Sequence, residues 1–395
     1  MKRLLPLVLL LALIASPAGF AESKKIAVKT LKLVTTIADP DDVAGIVAFG
    51  TTIVAYGTKM NKSFARAIDT SGQELWNITL DPDSASIATA GAVDNAGNIW
   101  IAGSTSLLRA SATPTPTATP LNPDSVIAAP EIFSADLNAV ALWKIPAGST
   151  EPTLYTAQGN SPVLITSIAL NKTGITLVGY IQSQRGSSGF IISANLLGEF
   201  GKSILIGRTS TTLDAVVRHS DGSLTVTGAS GEKLGGKKLS GIIDGVIIKI
   251  SKVGTVISVV RSSAPKAKRN WTSATSSLLL GGEVMTGEKS ESAITKFSNA
   301  YAPLWTNRFS STGATFTVGS VYAFFESTGK IPQVSGWAPS TARPLLLSFD
   351  GKGRITGAFS VTTDQNKVLG ALYSKNLGLL CLTSNSEAIS IFTFN

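Results

Sequence analysis

The hydrophobic positions of this 395-residue chain recur as short alternating runs, each bounded by a polar turn that carries glycine. In the stretch "VDNAGNIWIAGST", Asp94 and Gly97 are predicted to form a hairpin turn, and an apolar strand follows it. The same order returns about every 50 residues, and each copy predicts a strand that ends at a small residue. These marker residues are Gly57, Gly103, Gly179, Gly228, Gly282 and Gly336, with Ser384 in the seventh copy.

Two further patterns accompany each marker strand. A strand–turn–strand pattern follows it, as in "SFARAIDTSGQELW" and "PLLLSFDGKGRITG", and another strand pattern precedes it, as in "SIATAGAVD" and "FTVGSVYAF". Each unit therefore holds about four strands in about 50 residues, which is the size of a propeller blade. We predict an all-β fold, a seven-bladed β-propeller of four-stranded blades, with the shorter repeats of a β-solenoid as the competing architecture.

The two ends of the chain predict how the ring closes. The last unit stops at "EAISIFTFN" and lacks its outermost strand, whereas "IAVKTLKLVTT" near the N-terminus belongs to no complete unit. We expect residues 28–35 to pair with residues 389–394. This N-terminal strand would complete the last blade, and closure would remove the open sheet edges that invite aggregation.

The repeated turn glycine, apolar strand and Ala-Gly or Thr-Gly, together with "IIKISKVGTVI" and "LLLSFDGKGRI", resemble the repeats of bacterial extracytoplasmic propellers. The classes in question are the SBBP-type and PQQ-like repeats. The resemblance extends from about residue 26 to residue 395 and implies a propeller outside the cytoplasm. It implies no particular ligand or reaction, because propellers of this kind serve many roles.

The N-terminal residues have the features of a secretory signal peptide. Lys2 and Arg3 precede an apolar run, and Gly19-Phe20-Ala21 provides a small-x-Ala cleavage pattern, although an uncleaved anchor is the alternative. We predict a signal peptide over residues 1–21, one propeller domain over residues 22–395, and a Thr/Pro-rich loop insertion near residues 108–134. The expected localisation is secreted or at the cell envelope. No later run reaches the ~18 apolar residues of a membrane span, so none is expected in the mature chain.

Residue types that commonly carry catalysis or bind metals are scarce. The chain has one histidine, His219, beside a turn, and one cysteine, Cys381, in an apolar run predicted to be a buried strand. Zinc sites and Cys–His nucleophiles need more of these residues, and no calcium-loop pattern occurs. We therefore predict no metal, no cofactor (a bound quinone included), no catalytic residue, and a protein that is not an enzyme.

Carboxylates at two blade junctions leave an alternative open. Asp39, Asp41, Asp42, Asp81 and Asp83 occupy "ADPDDVAG" and "DPDSAS", where aspartate and proline are also ordinary turn formers. Paired carboxylates can cleave glycosidic bonds, so a carbohydrate-active hydrolase or lyase is the alternative function. Converging acids, arginine and tyrosine at the central mouth would favour the enzyme, and serine, threonine and valine would favour a binding module.

Charge points to anionic partners outside the cell. The formal net charge is +9 with only 15% charged residues, which suits attraction to an anionic envelope and gives no reason to expect nucleic acid. From "SAPKAKRNW" we predict an anionic-ligand site made of Lys266, Lys268, Arg269 and Trp271, with the indole stacking on a sugar, or else a plain solvated loop. The basic stretch "GEKLGGKKLSG" would share this site unless the two lie on opposite rims. The predicted function is a monomeric, non-catalytic binding or scaffold module for a protein or envelope-glycan partner.

Overall fold

The computed structural model describes residues 25–38, 42–107, 137–159, 161–361 and 364–394. This part of the chain is all-β, and none of it forms a helix long and apolar enough to span a membrane. The predicted signal peptide (1–21) and Thr/Pro-rich insertion (108–134) lie outside the described residues.

The strands follow one another in short hairpins. The N-terminal strands and the next two groups are β1 (Val28–Thr30), β2 (Lys32–Ala38), β3 (Val43–Phe49), β4 (Thr52–Lys59), β5 (Lys62–Ile68), β6 (Glu74–Thr79), β7 (Ser86–Val93), β8 (Ile99–Thr105), β9 (Ala139–Ile145) and β10 (Thr153–Gln158). The middle groups are β11 (Val163–Asn171), β12 (Gly174–Ser183), β13 (Gly186–Ala194), β14 (Ile204–Ile206), β15 (Thr211–Arg218), β16 (Leu224–Ser230), β17 (Asp244–Ile250) and β18 (Val256–Ser262). The last groups are β19 (Lys268–Ala274), β20 (Leu279–Thr286), β21 (Lys289–Phe297), β22 (Pro303–Ser310), β23 (Phe316–Val318), β24 (Tyr322–Ser327), β25 (Arg343–Phe349), β26 (Ile355–Ser360), β27 (Lys367–Ser374), β28 (Gly378–Ser384) and β29 (Ala388–Thr393).

These strands form seven sheets, each built on four antiparallel strands, which are the blades of a β-propeller and confirm the predicted fold class. Blades one to six begin with β3, β7, β11, β15, β19 and β23, and in each the strands run in chain order from the centre outward. Blade seven consists of β27, β28, β29 and β2. Each innermost strand contacts the next one around the ring, and β27 contacts β3, so the ring is closed.

The closing strand is confirmed, and the structure adds a second attachment. β2 pairs antiparallel with β29, from Lys32 opposite Thr393 to Ala38 opposite Ala388. The preceding strand β1 instead pairs in parallel with β26 as a fifth strand of blade six, with Val28 opposite Ala358. The N-terminal segment therefore joins two neighbouring blades, and only its second half completes blade seven.

The core lies between blades, and it follows the alternation of each strand. Ile99 and Ile101 pack with residues of blade one such as Val47, whereas Trp100 packs with residues of blade three such as Ile175. Successive side chains of a strand point to opposite faces, so a strand buried on both faces is apolar throughout. This is the arrangement that the "NIWIAG" pattern predicts.

Asp94 organises the turn before this strand. Its Oδ1 accepts the backbone N–H groups of Ala96 and Asn98, and its Oδ2 accepts the Trp100 indole N–H at 3.1 Å. Gly97 has a φ of 86°, which glycine adopts without the steric cost that a Cβ brings. The predicted hairpin turn is confirmed, and the hydrogen bonds of Asp94 are structural ones.

The marker glycines have a different role from the predicted one. Gly103 lies inside β8, opposite Ala88, where the innermost strand β7 has a β-bulge. A Cβ on Gly103 would stand 1.8 Å from the carbonyl oxygen of Ile87, so only glycine fits there. The same close approach, at 1.9–2.1 Å, occurs at Gly57, Gly179, Gly228 and Gly282. These glycines lie where two backbones are in close contact, and they do not end the strands.

The predicted markers of the last two blades, Gly336 and Ser384, are wrong. The marker strand of blade six is β24, and "TGKIPQVSGWA" is a loop whose Ile331, Val334 and Trp337 are buried against the same blade. Backbone hydrogen bonds of Ile26 with Gln333 and Ser335 hold this loop in place. In blade seven the bulge pairs Val368 with Thr383, so Thr383, and not Ser384, occupies the glycine position.

A pair of glycine-to-alanine variants tests the bulge contact. Gly179→Ala should lower the free energy of unfolding by about 2–3 kcal/mol, because its Cβ would meet the Leu164 carbonyl oxygen at 1.9 Å. Gly370→Ala, in β27, should change it by less than about 1 kcal/mol, since nothing lies within 4 Å of its Cβ position. Urea unfolding measures both, and equal losses would contradict the assigned role of Gly179.

Candidate functional site

The innermost strands of all seven blades surround a central cavity of about 370 Å³. Small and hydroxyl-bearing side chains dominate its lining, and Asp214 is the one carboxylate among the described residues that line it. The cavity does not gather the acids and arginines expected of the alternative hydrolase or lyase. It offers polar oxygens and one ionisable acid to a ligand.

Bulges in the innermost strands each direct one residue sideways at the cavity wall. In six blades these bulge residues are Ala44, Thr89, Thr166, Asp214, Thr272 and Leu369. The threonines bond to the next blade, because each hydroxyl donates to a backbone carbonyl there. Thr89 reaches Ile165 and Thr166 reaches Leu213, both at 2.6 Å, and Thr272 reaches Thr315 at 3.1 Å. The bulges therefore hold neighbouring blades together at their inner ends.

Asp214 takes the place of threonine in blade four. Its carboxylate accepts the Thr212 hydroxyl at 3.5 Å and a hydrogen bond from the Asn270 side chain, and it forms no ion pair within the described residues. Burial raises the pKa of Asp214 to about 6, and the two hydrogen bonds oppose that shift. Sequence reasoning missed this residue. Alignment of "IAT", "LIT" and "TLD" at the start of three innermost strands would have shown an acid in a threonine column.

The four residues of the predicted anionic-ligand site fall into two groups. Lys266 is exposed in the β18–β19 connection, and Lys268 is exposed at the start of β19. Trp271 is fully buried between blades four and five, so the predicted stacking of its indole on a sugar is wrong. The Arg269 guanidinium lies 4.3 Å from the centre of the Trp271 ring. Burial, with a smaller effect of the Arg308 charge, lowers the pKa of Arg269 to about 10. The anionic-ligand site itself stays a prediction.

The second basic stretch lies beside the first, on the same side of the ring. It forms the β16–β17 connection, and in an antiparallel blade this connection emerges at the same end as the β18–β19 connection. The two are joined by backbone hydrogen bonds from Ile242 to Ala267 at 2.8 Å and from Arg269 to Ile243 at 2.9 Å. We call the exposed lysines of the two connections and of the first position of β19 the basic surface: Lys233, Lys237, Lys238, Lys266 and Lys268.

Glu232 anchors one end of the β16–β17 connection. Its Oε1 accepts the backbone N–H groups of Arg208, Thr209 and Ser210 at 2.9–3.0 Å, and the Thr211 hydroxyl at 2.9 Å. Burial alone would raise the pKa of Glu232, but these hydrogen bonds lower it to about 2. The Glu232 carboxylate therefore bonds to the backbone, and it forms no ion pair with the neighbouring Lys233.

Asp244 anchors the other end of the same connection. It accepts the backbone N–H groups of Ser240 and Gly241, and it forms a buried ion pair with Arg261 at 2.8 Å. None of the five lysines of the basic surface forms an ion pair within the described chain. The acids hold the loop and the lysines face solvent.

Two of the described rim carboxylates of the alternative function, Asp81 and Asp42, bond to neighbouring residues. Asp81 is buried and accepts the Thr105 hydroxyl at 2.8 Å and the Ser84 backbone N–H at 3.1 Å. Asp42 forms an ion pair with Lys59, and Asp83 is exposed. Two more of the candidates, Asp39 and Asp41, lie outside the described residues. The described acids form no group of three with histidine or cysteine that could hold a metal.

The single histidine and cysteine belong to the packing. His219 bonds through Nε2 to the Thr225 hydroxyl at 2.8 Å, which in turn bonds to the Tyr301 hydroxyl at 2.7 Å. It is half-buried, less exposed than the predicted turn histidine. Cys381 is buried in β28 as predicted, and burial raises the pKa of its thiol.

Several solved structures are similar to this chain in fold. The acylaminoacyl peptidase of Pyrococcus horikoshii, in an orthorhombic crystal form, has a TM-score of 0.50 at 10% identity over 90% of this chain and 51% of that one. Its uncomplexed form gives 0.51 at 9% identity over 89% and 51%. YCF48 bound to a D1 peptide gives 0.52 at 12% identity over 94% and 98%. No protein-family model and no curated protein matches the chain.

These neighbours correct one prediction and leave the reaction open. The chain spans about half the length of the peptidase, and identities of 9–12% show a shared fold alone. The prediction that the protein is not an enzyme is nevertheless contradicted, because an enzyme is among the structures with this fold. Few histidines and a propeller fold are therefore no ground for excluding catalysis.

The pH dependence of stability tests the anchoring by Glu232. A carboxyl whose pKa falls from 4.5 to about 2 on folding stabilises the fold above pH 4.5, and this contribution is lost as the pH falls towards 2. Glu232→Gln should therefore lower the thermal midpoint at pH 7, and the difference from the natural protein should shrink between pH 4.5 and 2. A difference that stays constant over this range would contradict the role of the charge.

Proposed function

We propose that the protein is an extracytoplasmic binding module that holds an anionic envelope glycan on its basic surface. The observation that carries this proposal is the junction of two lysine-bearing connections, which are distant in sequence and hydrogen-bonded to each other. Five exposed ammonium groups without acid partners give a positive field that attracts a polyanion. Arg269 and Trp271 support this surface from beneath and do not touch the ligand.

The character of the basic surface favours a flexible polymer over a folded protein partner. Energetic centres of protein interfaces are rich in exposed aromatic and arginine side chains. The two connections present lysines and no exposed aromatic residue among those described. Lysine is a mobile point charge that tolerates variable spacing of the opposite charges, as in a phosphate- or carboxylate-bearing glycan.

The cellular setting is part of the same proposal. The signal-peptide pattern over residues 1–21 and the resemblance to SBBP-type and PQQ-like bacterial repeats support export of a single propeller domain over residues 22–395. We propose that this domain acts as a monomer. YCF48, a propeller of similar fold, is seen with a peptide bound, so an acidic protein segment is the alternative partner.

Charge-matched variants test the basic surface. Lys266→Ala/Lys268→Ala and Lys233→Ala/Lys237→Ala/Lys238→Ala should each weaken binding to polyglycerol phosphate about tenfold or more, since each lysine near an anionic surface contributes about 1 kcal/mol. Affinity should also fall steeply with salt. Biolayer interferometry against immobilised neutral and anionic glycans measures both effects.

The matched control removes three exposed lysines from turns on the other side of the ring: Lys172, Lys252 and Lys352. Its net charge equals that of the three-lysine variant, so unchanged binding by the control separates a local surface from overall charge. Equal losses in all three variants, or no binding of any anionic glycan at low salt, would contradict the proposal. Binding only to an acidic peptide would replace the glycan by the alternative partner.

A further inference from the structure

At the joint between blades four and five the bulge residue is Asp214 and not threonine. The bulges of blades one and seven also lack threonine and carry Ala44 and Leu369. On either side of this joint a threonine hydroxyl donates to a carbonyl of the next blade. Asp214 stands at the equivalent position, and an ionised carboxylate has no proton to donate. The carbonyl of Trp271, which by this repeat would receive that proton, has a long 3.5 Å contact with the Thr227 hydroxyl.

The surroundings of Asp214 hold several acceptors and few donors. The Asn270 amide bonds to the carboxylate, and the Asn270 Oδ1 is buried with no hydrogen-bond partner. The hydroxyls of Thr166 and Thr272 donate their protons to backbone carbonyls. Thr272 also accepts the Thr315 backbone N–H at 3.4 Å, so the Thr166 hydroxyl is the one of the two that keeps its lone pairs free within the described chain. The Asp214 carboxylate without an ion pair and the unpaired Asn270 amide oxygen produce a negative potential, which a cation with several N–H groups would satisfy.

We propose that the central cavity is a binding site for a primary ammonium group, with Asp214 as its counter-ion. An ammonium group has three donors and no acceptor, which matches a carboxylate without an ion pair beside a hydroxyl that keeps its lone pairs free. The cavity, about 370 Å³, has the size of a small-molecule pocket, and the four neighbouring residues Thr166, Ser167, Thr272 and Ser273 line it with hydroxyls. The ligand is an alkylammonium, either a lysine side chain of a peptide or a free polyamine.

The basic surface does not neutralise this site. Lys268 and Thr272 are four residues apart on β19, which places their backbones about 13 Å apart in an extended strand. This distance exceeds the Debye length of about 8 Å at physiological ionic strength, so charge at Lys268 is largely screened from the bulge. The site is separate from the proposed glycan surface, and either proposal can fail without the other.

Isothermal titration of the full-length protein tests the inference with matched ligands. The probes are acetyl-Gly-Lys-Gly-amide, the isosteric acetyl-Gly-norleucine-Gly-amide, spermidine and calcium chloride. We expect binding of the lysine peptide or of spermidine and none of the norleucine peptide. The tighter of the two ammonium probes identifies the source of the ligand.

Two substitutions at Asp214 separate binding from folding. Asp214→Thr restores the residue found at the bulges of three other blades, so it should fold and raise the thermal midpoint, yet weaken ammonium binding about tenfold or more. Asp214→Asn should weaken binding equally. Asp350→Asn, at an exposed turn carboxylate, is the charge control and should bind as the natural protein does.

The pH dependence gives an independent readout. Ammonium binding should weaken below about pH 6, where Asp214 takes up a proton. The other titratable side chains on β15 and on the strands packed against it are Arg218, Tyr180, Lys268 and Arg269. Arginine, tyrosine and lysine ordinarily titrate far above this pH, so Asp214 is the group that the profile reports.

Three results would overturn the inference. One is binding of the lysine peptide or spermidine that Asp214→Thr leaves unchanged. Another is the absence of binding of either ammonium probe by the folded natural protein at millimolar concentration. The third is calcium binding that depends on Asp214 without any ammonium binding, which would assign the cavity to a metal ion.

Discussion

The architecture depends on a close backbone contact near the inner edge of blades one to five. There the innermost strand bulges, and the next strand passes so near the bulging carbonyl that its glycine, such as Gly103, has no room for a Cβ. The bulge turns one residue out of the pleat and towards the neighbouring blade. Threonine at that position ties its hydroxyl to the next backbone, so the feature that bends each strand also joins the blades. The N-terminal segment completes the ring by pairing with both β26 and β29.

A repetitive ring of this kind can vary wherever stacking between blades does not require a given residue. The joint between blades four and five combines several such departures. Asp214 stands where three other blades have threonine, Arg269 covers a buried tryptophan, and two neighbouring connections bring exposed lysines together. Glu232 and Asp244, at the two ends of the β16–β17 connection, bond to backbone amides and to Arg261. The exposed surface is therefore positively charged, whereas the Asp214 carboxylate lies at the central cavity. Similar folds are found in a peptidase and in a peptide-bound protein, so the fold alone does not identify a function.

Local pattern predicted most of the fold and little of the site. The repeated turn, strand and glycine indicated seven blades, and the two incomplete ends indicated closure, because both depend on alternation and turn chemistry that a few neighbouring residues encode. The predicted strand that ends at Gly336 is wrong. A loop can bury apolar side chains such as Ile331, Val334 and Trp337 at strand-like spacing when another segment supplies its backbone hydrogen bonds. The predicted stacking of Trp271 on a sugar is wrong for another reason. The position of this side chain between two blades depends on packing between distant segments.

The sequence by itself determined the all-β architecture, the number of blades, the Asp94 turn and the strand that completes the ring. Each of these follows from the conformational preferences and burial pattern of residues close in the chain. Only the tertiary structure decided that the marker glycines sit beneath bulging carbonyls, that two lysine-rich connections meet, and that Asp214 faces a cavity shared by seven strands. These features join residues dozens of positions apart, so they exist only once the blades have packed and the ring has closed.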